Sequence, residues 1–520
     1  MNLFELLRTR RSMAVLVGYL VLGILTRLVV ARADIINADE ASYMVGASQL
    51  LSGHLPSAAF GDNTPPLIYL FYAGAQLLLG PGIASVRLLT ALLIVPGTAF
   101  AVSAFYRHDR RGMTAAALLL LYCAAYTAGD MLAVTVDVVM VLPLAWSLVA
   151  LARPGRARSA GGVFLAGLLV GVASLVKYEA GFWAAAELVA IAAAGWGAGR
   201  RVLRAAVAFM LGLALPALAM VTACAAAGEL DSLMFWNVTH NPEYLRHPIG
   251  VGAAAIRALE SVGPFLLVTS LLWYGWLRSS ARGSGTSEYA NTLVAATIGA
   301  SSAAACLGFR FVPHDFIPLY VPLCIGAAPW VARITRWPMR LPGWAAATAT
   351  LAICTGWTAV NAVHVQALSA QAASQPAAQV AARLEADGCH AGASLFVWGS
   401  APEFYYRAGL PPASQFVVPG YPLVRYVAGA PDETRPRASS RRRSARVQHW
   451  SRLMADLRSS QPTFIVDTSP ANIARWKAFP MRDYPLLHRL ITREYTHVDT
   501  VSGVDIYRRT NCVDLARRDR

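Results

Sequence analysis

The stretch RRVLRAAVAFMLGLALPALAMVTACA, Arg200 to Ala225, decides how this chain folds. Arg200, Arg201 and Arg204 crowd its start, and no charged residue follows before Ala225. A hydrocarbon core about 30 Å thick takes roughly 17–25 apolar residues to cross. Inside it every backbone N–H and C=O must be paired within the segment, so such a run must be a helix. Runs of the same kind lie at about 12–30, 84–105, 113–129, 131–152, 160–176, 179–197, 203–225, 256–277, 289–308, 315–332 and 343–363. The pattern predicts about eleven transmembrane helices. Composition agrees, with 56% hydrophobic and 14% charged residues, against about 25% charged in soluble proteins.

The arginines at the head of that stretch also orient the chain. Lys and Arg mark the cytoplasmic loops of membrane proteins. One alternating set of short loops holds Arg8/Arg10/Arg11, Arg107/Arg110/Arg111, Arg153/Arg156/Arg158, Arg278/Arg282 and Arg333/Arg336/Arg340 as well. The opposite set holds little more than Arg32, Lys177, Arg246 and Arg310. The first set is read as cytoplasmic. Basic residues gathered in short loops also account for the net charge of +16 without a nucleic-acid surface. The N-terminal Met1–Ala33 has the outline of a signal peptide, but its apolar part is long, so an uncleaved first helix is expected.

Residues 1–363 therefore read as a transmembrane module with outer loops at 31–83 and 226–255. Residues 364–520, with ordinary polarity, read as a soluble α/β domain. An odd number of spans puts that domain in the periplasm of a bacterial inner membrane. Its expected strands are 394–398, 463–467 and 504–508, its expected helix is 448–459, and 431–447, with Arg441-Arg442-Arg443, reads as an exposed flexible loop. Of the seven cysteines, Cys123, Cys224, Cys306, Cys324 and Cys354 read as buried packing residues. Cys389 and Cys512 could pair if their domain lies outside the cytoplasm.

The first outer loop predicts two short helices. One starts at Asp39-Glu40 and stops near Gly53. The other starts at Pro65-Pro66, where proline suits the first turn, and ends near Gly80. Asp39 and Glu40 are candidates for orienting or deprotonating an acceptor hydroxyl. The plainer reading is a helix cap, with a carboxylate favoured by the helix dipole. Asp137 lies inside an apolar run, about seven residues past the loop, where an ionisable group is expensive and faces a cavity or a partner. Asp130 sits at the loop itself and reads as solvated. Lys177, Arg310 and His314 are the outer-side groups that could hold a lipid-linked phosphate; snorkelling to the headgroups is the alternative. Tyr43, Trp236 and Tyr244 suit either stacking on sugars or an interfacial belt. The sequence carries no zinc spacing, no phosphate-binding loop and no dinucleotide fingerprint.

Read together, several segments resemble one family. Ala38-Asp39-Glu40-Ala41-Ser42-Tyr43, Leu50-Leu51-Ser52-Gly53-His54 and Asp62-Asn63-Thr64-Pro65-Pro66-Leu67-Ile68-Tyr69 resemble the first periplasmic loop of bacterial GT-C glycosyltransferases. The relatives are the family-39, protein-mannosyltransferase-like and aminoarabinose-transferase-like enzymes. Thr135-Val136-Asp137, Gly171 to Tyr178 with Lys177, Arg310 to Tyr320 with His314 and Pro318, and Trp398 to Tyr406 follow in the family's order. One departure is Thr64, where relatives carry a lysine before the proline pair.

The resemblance implies a GT-C membrane module and a polyprenyl-phosphate-linked sugar donor used on the periplasmic face, with inversion. The acceptor would be lipid A, another glycan or a protein. It implies Asp39 as base, with Glu40 and Asp137 fixing geometry. Lys177, Arg310 and His314 would attend the donor phosphate, and Tyr43, Pro65, Pro66, Tyr69, Trp236 and Tyr244 the substrates. No metal is assigned, although a divalent cation at Asp137 is compatible with it. A transporter or flippase for a lipid-linked glycan is the competing class, but it calls for charge at the midplane and two similar halves.

Overall fold

The computed structural model describes residues 10–31, 33–55, 60–61, 64–125, 132–152, 159–193, 199–240, 251–281, 287–334, 356, 375–388, 392–418 and 440–511. Along the chain the helices are α1 (Arg10–Ala31), α2 (Ala38–Leu51), α3 (Leu67–Leu79), α4 (Ile83–Phe105), α5 (Arg110–Ala125) and α6 (Val136–Ala152). They continue with α7 (Ala160–Ser174), α8 (Ala180–Ala193), α9 (Arg200–Ala226), α10 (Val251–Ala281), α11 (Glu288–Ala305) and α12 (Ile317–Ile334). Helices stand at each expected span except 343–363, which lies outside the described residues. Five segments among the described residues are long and apolar enough to cross a membrane: α4, α9, α10, α11 with its extension to Phe309, and Pro313–Ile334. α6, α7 and α8 are apolar but shorter, at 17, 15 and 14 residues.

The chain divides into two compact units. The first holds Met1–Ile36, Ala75–Thr222 and Pro248–Gln366. Its helices begin where local chemistry tells them to. Ser159 and Ser287 cap α7 and α11 by accepting from the backbone N–H groups of Gly162 and Ala290. α7 and α9 meet through glycine: a Cβ on Gly167 would lie 2.0 Å from the Phe209 carbonyl, and one on Gly212 would lie 2.1 Å from that of Phe164. Such small-residue crossings let backbones approach closely where lipid supplies no hydrophobic drive. α4 carries a π-helical turn, Thr90–Ile94, immediately before Pro96. Cys224 and Cys324 are buried as expected, whereas Cys306 is exposed at the C-cap of α11.

The second unit holds Asn37–Gly74, Ala223–His247 and Ala367–Arg520. Its sheet has the order β1-β2-β4-β3, with β1 (Leu395–Trp398), β2 (Phe464–Asp467), β3 (Tyr495–Val501) and β4 (Val504–Arg509). β1 and β2 run parallel and are buried throughout, while β4 is antiparallel to both β2 and β3. Around them stand α13 (Pro376–Glu385), α14 (Glu403–Ala408), α15 (Ser440–Ser460) and α16 (Pro485–Glu494). Trp398, Trp450, Trp476 and Tyr484 form the centre of the core.

Two expectations change here. Residues 440–447 are helical, the first turns of α15, rather than loop. The run of arginines in the sequence shows no apolar period, which obscured a helix that buries His449 and Trp450 further on. β3 was not anticipated, because an edge strand with only its first side chain buried has no apolar alternation to read. The turn Ser502-Gly503, with both φ positive, closes it onto β4. Cys389 and Cys512 lie outside the described residues.

Candidate active site

α6 begins at Val136, so Asp137 sits in its first turn rather than two turns inside a longer helix. The segment before it, Ala133 to Thr135, is not helical. A carboxylate in this position is favoured by the unpaired N–H groups of the helix start. Lys177 comes from the connection between α7 and α8. Its N–H donates to the Ala173 carbonyl, and its own carbonyl accepts from Ala180, so both helices hold its backbone. His314 and Asp315 come from the single 3-10 turn, Pro313–Phe316, that leads into α12.

These four side chains meet. Lys177 Nζ donates to both oxygens of Asp137, at 3.0 Å each, and to Asp315 Oδ1 at 2.6 Å. His314 Nε2 lies 3.9 Å from Asp137 Oδ2. Asp137 is 1% exposed, Lys177 14% and Asp315 18%. Burial works against the charge on Lys177, but Asp137 and Asp315 outweigh it and hold the ammonium above its ordinary range. A charge-assisted set of this kind is stable only while complete, because deleting one partner strands a buried charge. Asp137, His314 and Asp315 each offer a ligand atom within 4.8 Å of the others, a set that could take a divalent cation. Lys177 Nζ reaches the same carboxylates, so ammonium and metal would compete for them.

A partly open apolar cleft of about 50 Å³ adjoins the same elements. Val138 and Val141 of α6 line it, together with Ile317, Tyr320 and Val321 of α12 and Ile94 and Thr98 of α4. Its one charged wall is Arg27, whose guanidinium donates to the Leu132 carbonyl at 2.9 Å. Arg87 is wholly buried and donates to the carbonyls of Val30, Ala33 and Asp34, which fixes the chain as it leaves α1.

In the second unit, Asn37 caps α2 by accepting from the Glu40 N–H at 3.0 Å. Asp39 is thus an interior residue of the first turn and not the cap. It is half-buried, while Glu40 is fully buried. Tyr43 packs edge-on against Tyr69 and Tyr72 at 6.0 and 5.5 Å. Gly46 leaves room for Tyr69, since a Cβ there would lie 2.5 Å from that ring. Pro65 and Pro66 are buried just ahead of α3. The Trp236 indole N–H donates to Gln415 Oε1 at 2.9 Å, and its ring packs on Phe416. All of these rings are interior.

The structure therefore brings together Asp137, Lys177 and His314 of the expected residues. Arg310 stands half-buried just before their 3-10 turn. Asp39, Glu40, Tyr43, Pro65, Pro66, Tyr69 and Trp236 belong to the second unit. Tyr244, Arg32, Asp130, Arg246 and His247 lie outside the described residues. Sequence reasoning missed Asp315, Arg27 and Arg87. Each is an ionisable residue in or beside an apolar run, the signal that singled out Asp137.

Comparison with known proteins bears out the resemblance read from the motifs. Residues 63–225 match a family model described as dolichyl-phosphate-mannose-protein mannosyltransferase. The fold is similar to that of ArnT from Cupriavidus metallidurans bound to undecaprenyl phosphate, with TM-score 0.60 and 14% identity, covering 95% of this chain and 98% of that one. The apo state of the same protein matches with TM-score 0.57 and 15% identity, covering 96% and 98%. No curated protein matches in sequence. The chain has the GT-C fold of ArnT, a multi-pass helical module with a small C-terminal sheet.

Proposed function

We propose that this chain is a membrane glycosyltransferase that moves a sugar from a polyprenyl-phosphate donor to an acceptor hydroxyl. The observation that carries the reading is the buried cluster of Asp137, Lys177, His314 and Asp315 beside an apolar cleft. A lipid phosphate asks for both: cationic donors for its oxygens and apolar surface for its isoprenoid. The match to ArnT bound to undecaprenyl phosphate supports the same donor class.

In this reading Asp39 takes the proton from the acceptor hydroxyl. The freed oxygen attacks C1 of the sugar with inversion, the bond from C1 to the phosphate oxygen breaks, and the lipid phosphate leaves with the electron pair. The leaving group is already a stable anion, so it needs cations more than an acid. Lys177, with Arg310 and His314, serves it. With both carboxylates ionised, Lys177, Asp137 and Asp315 sum to −1, which repels a phosphate diester. A divalent cation on Asp137, His314 and Asp315 would bring that sum to +1. Glu40 supports the first turn of α2. Tyr43, Tyr69 and Trp236, with Pro65 and Pro66, hold the loop helices in shape. The arginine-rich loops support the periplasmic face of the inner membrane as the side of the reaction.

The test is transfer from a panel of polyprenyl-phosphate sugars by the full chain in detergent, with and without chelator. Turnover with at least one donor, lost in Asp39→Ala, is the expected result. No transfer from any donor refutes the reading, and full turnover in Asp39→Ala removes Asp39 from it.

A further inference from the structure

Glu187 lies in the middle of α8, an otherwise apolar helix, and is 0% exposed. Nothing in the proposed chemistry uses it. Its Oε1 is 2.5 Å from Ser147 Oγ on α6, and that hydroxyl is also 2.7 Å from the Leu144 carbonyl. A hydroxyl has one proton and a carbonyl has none to give. Ser147 is the donor, and its one proton is shared between the Leu144 carbonyl and the Glu187 side-chain oxygen.

The position of this bond matters more than its strength. Asp137 and Lys177 are 40 residues apart, and so are Ser147 and Glu187. α6 is therefore bridged at two points with one constant offset, to the turn that leads into α8 and to α8 itself, and the two points on α6 are ten residues apart, or about 15 Å by helical rise. The turn that carries Lys177 is hydrogen-bonded into α8: Ala180, Gly181 and Phe182 donate to the carbonyls of Lys177, Tyr178 and Glu179. Wherever α8 slides, Lys177 follows. The neighbours of Glu187 on α8, Ala186, Leu188 and Val189, are apolar, and apolar contact is non-directional. A single buried polar contact is the device that removes such degeneracy. Trp183, one turn earlier on α8, ties the same helix to Ser301 of α11 at 2.8 Å.

We propose that Glu187 is a positioning residue that, through Ser147, sets the register of α8 against α6 and so holds Lys177 against Asp137. The link to catalysis rests on the transferase reading above; the register itself does not.

The experiment uses the full chain carrying Asp137→Cys and Lys177→Cys, which removes the outer bridge and leaves the inner one to hold the register. Joining of positions 137 and 177 by a short bis-methanethiosulfonate reagent, which forms one disulfide with each thiol and releases two sulfinates, is read by mass spectrometry of the joined peptides. Adding Glu187→Leu should lower the yield about threefold or more, the scale of polar contacts inside membranes, while Glu187→Gln should keep it. Should Glu187→Leu fail to reach the membrane, Ser147→Ala deletes the same bond and should lower the yield alike. An unchanged yield in both overturns the proposal, whatever the transfer assay shows. In the native background, Glu187→Leu should raise KM for the lipid donor and spare kcat, with rescue by Glu187→Gln. Loss of kcat at constant KM would mean fewer folded molecules and would also overturn it. A lowered yield with no transfer in any protein, wild type included, leaves the register standing and sinks the transferase reading.

Discussion

Two of the helix starts that carry carboxylates, those of α6 and α2, are built on different principles. At the head of α6, Asp137 is one member of a set whose other members, Lys177, His314 and Asp315, come from two other connections. At the head of α2, the cap is Asn37, Glu40 is buried, and the helix leans on a local cluster of Tyr43, Tyr69 and Tyr72. The first start is an electrostatic assembly in which each charge depends on the rest. The second is a mounting, rigid by packing and capping, that presents the half-buried Asp39. Residue type at a helix start does not distinguish an assembly from a mounting. What reaches it from elsewhere in the chain does.

That contrast can be broken by substitution. Lys177→Met should have the largest effect, because it leaves Asp137 and Asp315 buried together. A loss of about 3–5 kcal/mol is the scale for stranding a buried charge, read as thermal unfolding in detergent. An unchanged midpoint would show that the cluster is not an assembly. Asp39→Asn should leave that midpoint alone and lower turnover by about 10²–10⁴, the usual range for a lost general base. If turnover survives, α2 is a mounting with nothing mounted on it.

Asp467 of β2 gives a third case, a buried acid in the sheet. Burial pushes its carboxyl up to about 6, against accepted bonds that include the Ser469 N–H. The folded state therefore binds its proton more tightly than the unfolded chain does. Stability from this group is greatest at low pH and falls as pH rises from 3.8 to about 6. Asp467→Asn should flatten that slope in a pH series of unfolding midpoints; an unaltered slope would assign it to other groups. The smallest effect belongs to Asn37→Ala, about 1 kcal/mol from a lost cap. It should lower turnover only as far as Asp39 moves with the helix end. A drop as deep as that of Asp39→Asn would show that the mounting itself carries the chemistry.

Much of the fold was legible in one dimension. The helical spans among the described residues follow from run length, which the membrane imposes. The short helices of the first loop followed from proline and glycine. β3 was not legible, because an edge strand with only its first side chain buried shows no period. The start of α15 was hidden by arginines that resemble a loop.

For the site, the sequence alone determined that Asp137 is costly where it stands, that Lys177 and His314 stand beside apolar runs, and that Asp39-Glu40 opens a helix. Those are properties of a residue and its neighbours. Only the tertiary structure decided that Lys177 belongs to Asp137 and to Asp315, 40 and 138 residues away. It alone showed that Asn37 is the cap, and that Glu187 repeats the register of that pair deeper along the helices. The physical reason is reach. The cost of burying a charge is set by the local run, but what offsets it is a partner within about 4 Å, and helices that pack side by side can bring that partner from anywhere in the chain.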